Sequence, residues 1–138
     1  MRRHTQRFLT AHYKLWYAYS TIEDEVHAWQ EFHWVTRAIT DPGHGQKIVD
    51  AYAAGGYAGA LKVPAGPDDP DYYGSMVDAA RCMIFAGNPE GALRCLERAY
   101  QRYEGWLIYA LSDPAFAALR HDARFLQIMA QVQKSPGA

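Results

Sequence analysis

The stretch that decides the fold class is residues 86–103, which read AGNPEGALRCLERAYQRY. Its apolar members recur every three or four residues, the spacing of one face of an α-helix. They are Ala92, Leu93, Leu96, Ala99, Tyr100 and Tyr103. Asn88 before Pro89 is typical of a helix start, because the amide accepts from exposed N–H groups and proline needs no partner at the first position. The pattern predicts a helix over 89–103 that packs against another helix.

An acidic residue before proline gives the same start signal at three other places. They are Asp41-Pro42, Asp69-Pro70 and Asp113-Pro114. Ser20 and Glu23 have the spacing of a capping box, and the glycines at 55–56 and 87 are typical of helix ends. No long stretch alternates apolar and polar residues as a half-buried strand does. Helices are therefore predicted at 5–19, 22–39, 43–54, 57–62, 70–86, 89–103, 114–120 and 122–133.

The proline- and glycine-rich segment 63–69 is predicted to link an N-terminal lobe, 1–62, to a C-terminal lobe, 70–138. With 49% hydrophobic and 14% aromatic residues, the chain of 138 residues has the composition of a packed core. Each lobe is too short to bury its own apolar stripe. The whole chain, 1–138, is therefore predicted to be one domain.

The balance of charge excludes several classes of partner. The formal net charge is −1, which is not the basic footprint that binding to a nucleic-acid backbone requires. No apolar run approaches a membrane span, and no apolar run follows the basic start as in a signal peptide. We therefore expect a soluble cytoplasmic protein that binds neither nucleic acid nor membrane.

The two cysteines, Cys82 and Cys95, lack the short spacing of a zinc site. In a reducing cytoplasm they are expected to be buried thiols. A disulfide between them stays possible if their helices pack antiparallel.

A longer pattern runs from residue 51 to the end, over about two-thirds of the chain. It consists of Gly55-Gly56-Tyr57, Gly59-Ala60-Leu61, residues 86–93, Leu96-Glu97-Arg98-Ala99-Tyr100, Asp113-Pro114-Ala115-Phe116 and residues 119–125. In this order the pattern resembles the closing repeat and terminal cap of tetratricopeptide-repeat proteins of bacterial signalling and regulation. The resemblance implies antiparallel helix pairs stacked as a short right-handed superhelix with C-terminal capping helices.

The stack has two consequences for individual side chains. Ala92 and Ala99 should be buried where two helix backbones come closest. The exposed apolar end of the stack needs a cover, for which six residues are suited. They are Phe116, Leu119, Phe125, Ile128, Met129 and Val132. Trp106, Leu107 and Leu111 are expected to bridge this cap to the preceding helix pair.

The resemblance also implies a groove lined by the first helix of each pair. It places Tyr13, Tyr17, Val77, Arg81 and Ile84 there, although the tyrosines could equally belong to the core. Rigid aromatics with an arginine suit a protein or peptide segment. The first hypothesis is a non-enzymatic interaction or scaffold module for a protein partner or a second copy. The alternative is a small-molecule sensor with an aromatic-lined pocket between the lobes.

Catalytic signals are weak by comparison. Glu23, His27 and Glu31 share one helical face at i, i+4 and i+8, a possible ligand set for iron, manganese or zinc in a helical-bundle enzyme. The competing interpretation is a solvated face with weak i,i+4 contacts. The sequence has no zinc-protease motif, no nucleophile elbow and no phosphate loop. We therefore predict neither an enzyme nor a cofactor.

Overall fold

The computed structural model describes residues 3–40, 42–63 and 75–134, with side chains from Arg7 onward. All elements in these ranges are helices, so the predicted all-α class is confirmed. They are α1 (Arg3–Thr21), α2 (Glu25–Ile39), α3 (Pro42–Lys62), α4 (Met76–Phe85), α5 (Pro89–Gln101), the 3₁₀ helices η1 (Gly105–Ser112) and η2 (Pro114–Leu119), and α6 (Ala123–Lys134). Of these, η1 was not predicted.

The chain divides into two compact units, an N-terminal unit Met1–Val63 and a C-terminal unit Pro64–Ala138. The division falls at the start of the predicted linker. Within the N-terminal unit α1 packs on α2, and within the C-terminal unit α4 packs on α5. Each pair is joined by a turn of three residues, a length that makes neighbouring helices antiparallel.

The turn between α1 and α2 differs from the predicted capping box. Ser20 lies inside α1 and is buried, so it does not cap α2. Asp24 caps α2 instead, and its carboxylate accepts the N–H of His27 at 3.2 Å. Glu23 has a left-handed backbone with φ 61° and lies before the helix. The capping-box prediction is therefore wrong, and α2 begins three residues later than predicted.

The break predicted between residues 54 and 57 is confirmed. It appears as a kink inside α3, where Gly56 has φ 69° and ψ −161°. The kink places Tyr57 in the core of the N-terminal unit, where its ring lies 6.2 Å from that of Phe32. Trp16 is buried as well, 5.9 Å from Phe32. Three large rings therefore fill the space between α1, α2 and α3.

Helix starts in the C-terminal unit follow the predicted chemistry. Asn88 caps α5 by accepting the N–H of Gly91 at 2.9 Å, and Asp113 caps η2 by accepting that of Ala115 at 2.9 Å. Ser75 caps α4, which starts at Met76 rather than at residue 70. The pairs Asp41-Pro42 and Asp69-Pro70 each include a residue outside the described ranges, so their capping is not described.

The core of the C-terminal unit contains both alanines of the predicted helix contact. Ala92 and Ala99 are completely buried in a cluster that residues of α4 and α5 share, which confirms their expected burial. All six predicted cap residues are buried too, with the rings of Phe116 and Phe125 6.4 Å apart. The predicted bridge is correct only for Leu107. Trp106 and Leu111 are exposed.

Candidate protein-interaction site

Two of the predicted groove residues lie on α1 in the N-terminal unit. Tyr13 is half-buried, with its ring 5.1 Å from that of Trp16. Tyr17 is half-buried too, and its carbonyl accepts the hydroxyl of Thr21 at 2.8 Å. Both tyrosines therefore share their surface between the core and solvent.

The other three groove residues lie on α4 in the C-terminal unit. Val77 is completely buried, so its side chain is not accessible to a partner. Ile84 is half-buried and packs against the core cluster. Arg81 donates from Nε to Asp113 at 2.8 Å and from Nη1 to Asp78 at 2.7 Å. Its guanidinium thus ties α4 to the cap residue of η2.

The three candidate metal ligands are not brought together. Glu23 lies outside α2, so the shared helical face is broken at its first member. His27 pairs through Nδ1 with Asp24 at 2.8 Å, and Glu31 pairs with His12. The N–H of His27 also lowers the pKa of the Asp24 carboxyl. In the described part of the chain, no three His, Cys, Asp or Glu side chains form a cluster that could hold a metal ion.

Cys82 and Cys95 are both buried free thiols, as expected for apolar core residues. Burial raises the pKa of the Cys82 thiol far above its usual value, with a further contribution from the charge of Asp78. The thiol is therefore neutral near neutral pH, which makes it a poor nucleophile.

Among the described residues, three exposed aromatic side chains lie at η1 or directly before it. Tyr103 is 94% exposed, Trp106 68% and Tyr109 56%. Ile108 and Leu111 are exposed as well. We call these five residues the aromatic surface. The rings of Trp106 and Tyr109 lie 6.0 Å apart.

The 3₁₀ geometry of η1 explains why these rings face solvent. With three residues per turn, side chains at i and i+3 point the same way. Leu107 and Ala110 form the inner row and are buried. Trp106 and Tyr109 form a second row. Because the first row faces the core, the second row faces solvent. The segment 105–112 reads GWLIYALS and contains no Asp, Glu, Lys, Arg or His.

Glu104 fixes the start of η1 to the start of α4. Its carboxylate accepts the N–H of Met76 at 2.9 Å and that of Val77 at 3.3 Å. The hydroxyl of Ser75 donates to the same carboxylate at 3.0 Å. A carboxylate is favourable here because the first N–H groups of a helix carry partial positive charge. The residue directly before η1 therefore anchors the helix that carries Trp106 and Tyr109.

The sequence prediction missed this surface because GWLIYALS is apolar on every side when it is projected on an α-helix. An apolar run of this kind indicates burial. A period of three residues would have separated Leu107 and Ala110 from Trp106 and Tyr109. The sequence therefore separates buried from exposed residues here only when it is read with the period of a 3₁₀ helix.

Protein-family models, curated proteins and solved structures were compared with this chain, and none of them matches it. Among the described helices, none combines the length and the apolar character that crossing a bilayer requires.

Proposed function

We propose that this chain is a non-enzymatic protein-interaction module of the tetratricopeptide-like type, and that it binds a protein partner through the aromatic surface. The observation that carries the proposal is the exposure of Trp106, Tyr109 and Tyr103 on one short segment. Trp and Tyr are the residues most often found at the energetic centres of protein interfaces. The rings of Trp106 and Tyr109 lie 6.0 Å apart, and neighbouring exposed apolar groups of this kind often mark interaction sites on monomeric proteins.

Anchoring of the segment supports binding rather than mere exposure. Leu107 and Ala110 hold η1 against the core, and Glu104 fixes its first residue. A backbone segment that is already ordered loses less conformational freedom when a partner arrives. Trp106 and Tyr109 are therefore suited to act as anchors in a complex.

The chemistry of the surface defines the partner. Burying an unpaired charge against an uncharged aromatic surface is costly. The partner segment is therefore an apolar one, such as one face of an amphipathic helix, with its charges at the rim. The buried alanines of α5, in a helix pair joined by a three-residue turn, support the tetratricopeptide-like assignment.

The experiment is affinity purification from cells of the source organism with three baits: wild type, Trp106→Ser and Leu126→Ser. Leu126 is the matched control, because it is an exposed apolar residue on α6 of the same unit. Quantitative mass spectrometry should find a partner whose recovery falls at least about tenfold with Trp106→Ser and is unchanged with Leu126→Ser. Equal recovery of every partner on all three baits would rule the surface out. Circular dichroism checks that each bait is folded.

A further inference from the structure

Helix α1 has an exposed apolar face in addition to the face that packs on α2. Its buried side includes Trp16 and Ser20. On another side a row of apolar residues is exposed at intervals of three, four, three and four residues. They are Phe8, Ala11, Leu15, Ala18 and Ile22. We call this row the α1 stripe. Ile22 continues the helical turn, since its N–H bonds to the carbonyl of Ala18 at 3.2 Å.

The spacing of the α1 stripe is that of a seam between two helices. Apolar residues that alternate every three and four positions are the knobs of a two-helix contact. The helix surface beyond the stripe carries Arg7, Thr10, Lys14 and Thr21, all exposed. The stripe is thus a defined seam with a polar border, and it belongs to a different unit from the aromatic surface.

Side-chain size along the stripe favours an antiparallel copy of the same helix. The large residues Phe8, Leu15 and Ile22 occupy one position of the repeat, and Ala11 and Ala18 occupy the other. In a parallel pair, large residues would face large ones and alanines would face alanines, which leaves alternating clashes and gaps. In an antiparallel pair with Leu15 opposite Ala18, Leu15 and Ile22 of each copy face an alanine of the other, so these layers have the same volume.

Charge supports the same orientation. The charged residues of α1 are Arg3, Arg7 and Lys14, all basic, and the helix contains no Asp or Glu. The acidic run 23–25, Glu-Asp-Glu, lies in the turn after it and at the first residue of α2. A parallel pair would place basic ends side by side. An antiparallel pair brings Arg7 of one copy toward the acidic turn of the other.

We propose that the α1 stripe is a homodimer interface in which two copies of α1 pack antiparallel. Leu15 of each copy faces Ala18 of the other, and Ala11 faces Ile22. This register is the one that brings Arg7 closest to the acidic turn. The seam spans four helical turns, about 21 Å at 1.5 Å per residue. A contact of this length is small, so the dimer forms at micromolar rather than nanomolar concentration.

Sedimentation velocity over a concentration series tests the interface. Wild type should shift from monomer to dimer as the concentration rises, and Leu15→Glu should raise the dissociation constant at least about tenfold, because it places two charges in the seam. The control is Leu126→Glu, since Leu126 is 46% exposed and Leu15 40%. A wild type that stays monomeric up to about millimolar concentration overturns the proposal, as does a Leu15→Glu variant that dimerises like wild type.

Disulfide trapping tests the orientation. Leu15→Cys and Ala18→Cys are prepared separately, and the native thiols are buried and stay unreactive in the folded chain. Under mild oxidation the antiparallel register gives cross-linked dimer only when the two variants are mixed. Cross-linking of each variant with itself, with none gained by mixing, would mean a parallel pair and would overturn the register. Because these readouts involve no other protein, their failure is distinct from failure of the proposed function.

Discussion

The hydroxyl of Tyr57 connects two helices of the N-terminal unit through buried hydrogen bonds. It accepts the indole N–H of Trp16 at 2.5 Å, and it lies 2.6 Å from the hydroxyl of Ser20. Since the hydroxyl oxygen of Tyr57 accepts from the indole, the hydroxyl proton of Tyr57 can be donated to the oxygen of Ser20. Sequence reasoning assigned Ser20 to a cap because serine suits both roles. A contact between residues 37 positions apart leaves no local signal.

Removal of this hydroxyl should destabilise the unit without changing its shape. Tyr57→Phe keeps the ring but deprives the buried Trp16 N–H and Ser20 of this partner, which costs about 1–3 kcal/mol. Tyr52→Phe is the control, because it removes a hydroxyl from a half-buried ring on the same helix. Urea unfolding followed by tryptophan fluorescence measures both, since three of the four tryptophans lie in this unit. Equal midpoints for the two variants would show that the buried contacts contribute little.

At the scale of single elements, local patterns predicted most of the helices and misjudged two kinds of feature. The kink in α3 and the start of α5 were predictable, because Gly56 and Asn88 act on the backbone beside them. The row structure of η1 was not, because an apolar run does not reveal a change of helical period. The start of α2 was misplaced because Ser20 and Asp24 offer the same cap chemistry and only one is used.

The kink of α3 should depend on Gly56 and not on its glycine neighbour. An added Cβ would meet no atom within 4 Å at either Gly55 or Gly56, so steric crowding does not distinguish them. Only Gly56 has a positive φ, 69°. Gly56→Ala should therefore cost about 1–3 kcal/mol, because a positive φ with ψ −161° is a combination that only glycine adopts readily, whereas Gly55→Ala should be neutral or stabilising by up to about 1 kcal/mol. Chemical denaturation of both variants measures the difference. A Gly56→Ala variant as stable as Gly55→Ala would contradict a kink that needs the left-handed conformation.

At the scale of the whole molecule, the sequence predicted the helical class, because helical periodicity is a local property. It did not predict the surfaces. Whether Trp106 or Leu15 is exposed depends on which neighbours cover it, and the residue itself carries no sign of that. The groove prediction had the same weakness, because the sequence does not show which neighbours bind a side chain. Arg81 is suited to a partner by its chemistry, yet the carboxylates of Asp78 and Asp113 already bind it.

The two proposed surfaces share no residue and belong to different units, so we expect their functions to be separable. Trp106→Ser should abolish capture of the partner while leaving the concentration-dependent dimer intact. Leu15→Glu should do the reverse. Both positions are exposed, so neither substitution removes core packing. For both variants, calorimetry measures partner affinity and sedimentation measures self-association. Each variant is thus compared for both properties. Loss of both properties in either variant would show that partner binding requires the dimer, because two linked sites gain affinity through their effective concentration. In that case the surfaces act as one site, and the separation proposed here is wrong.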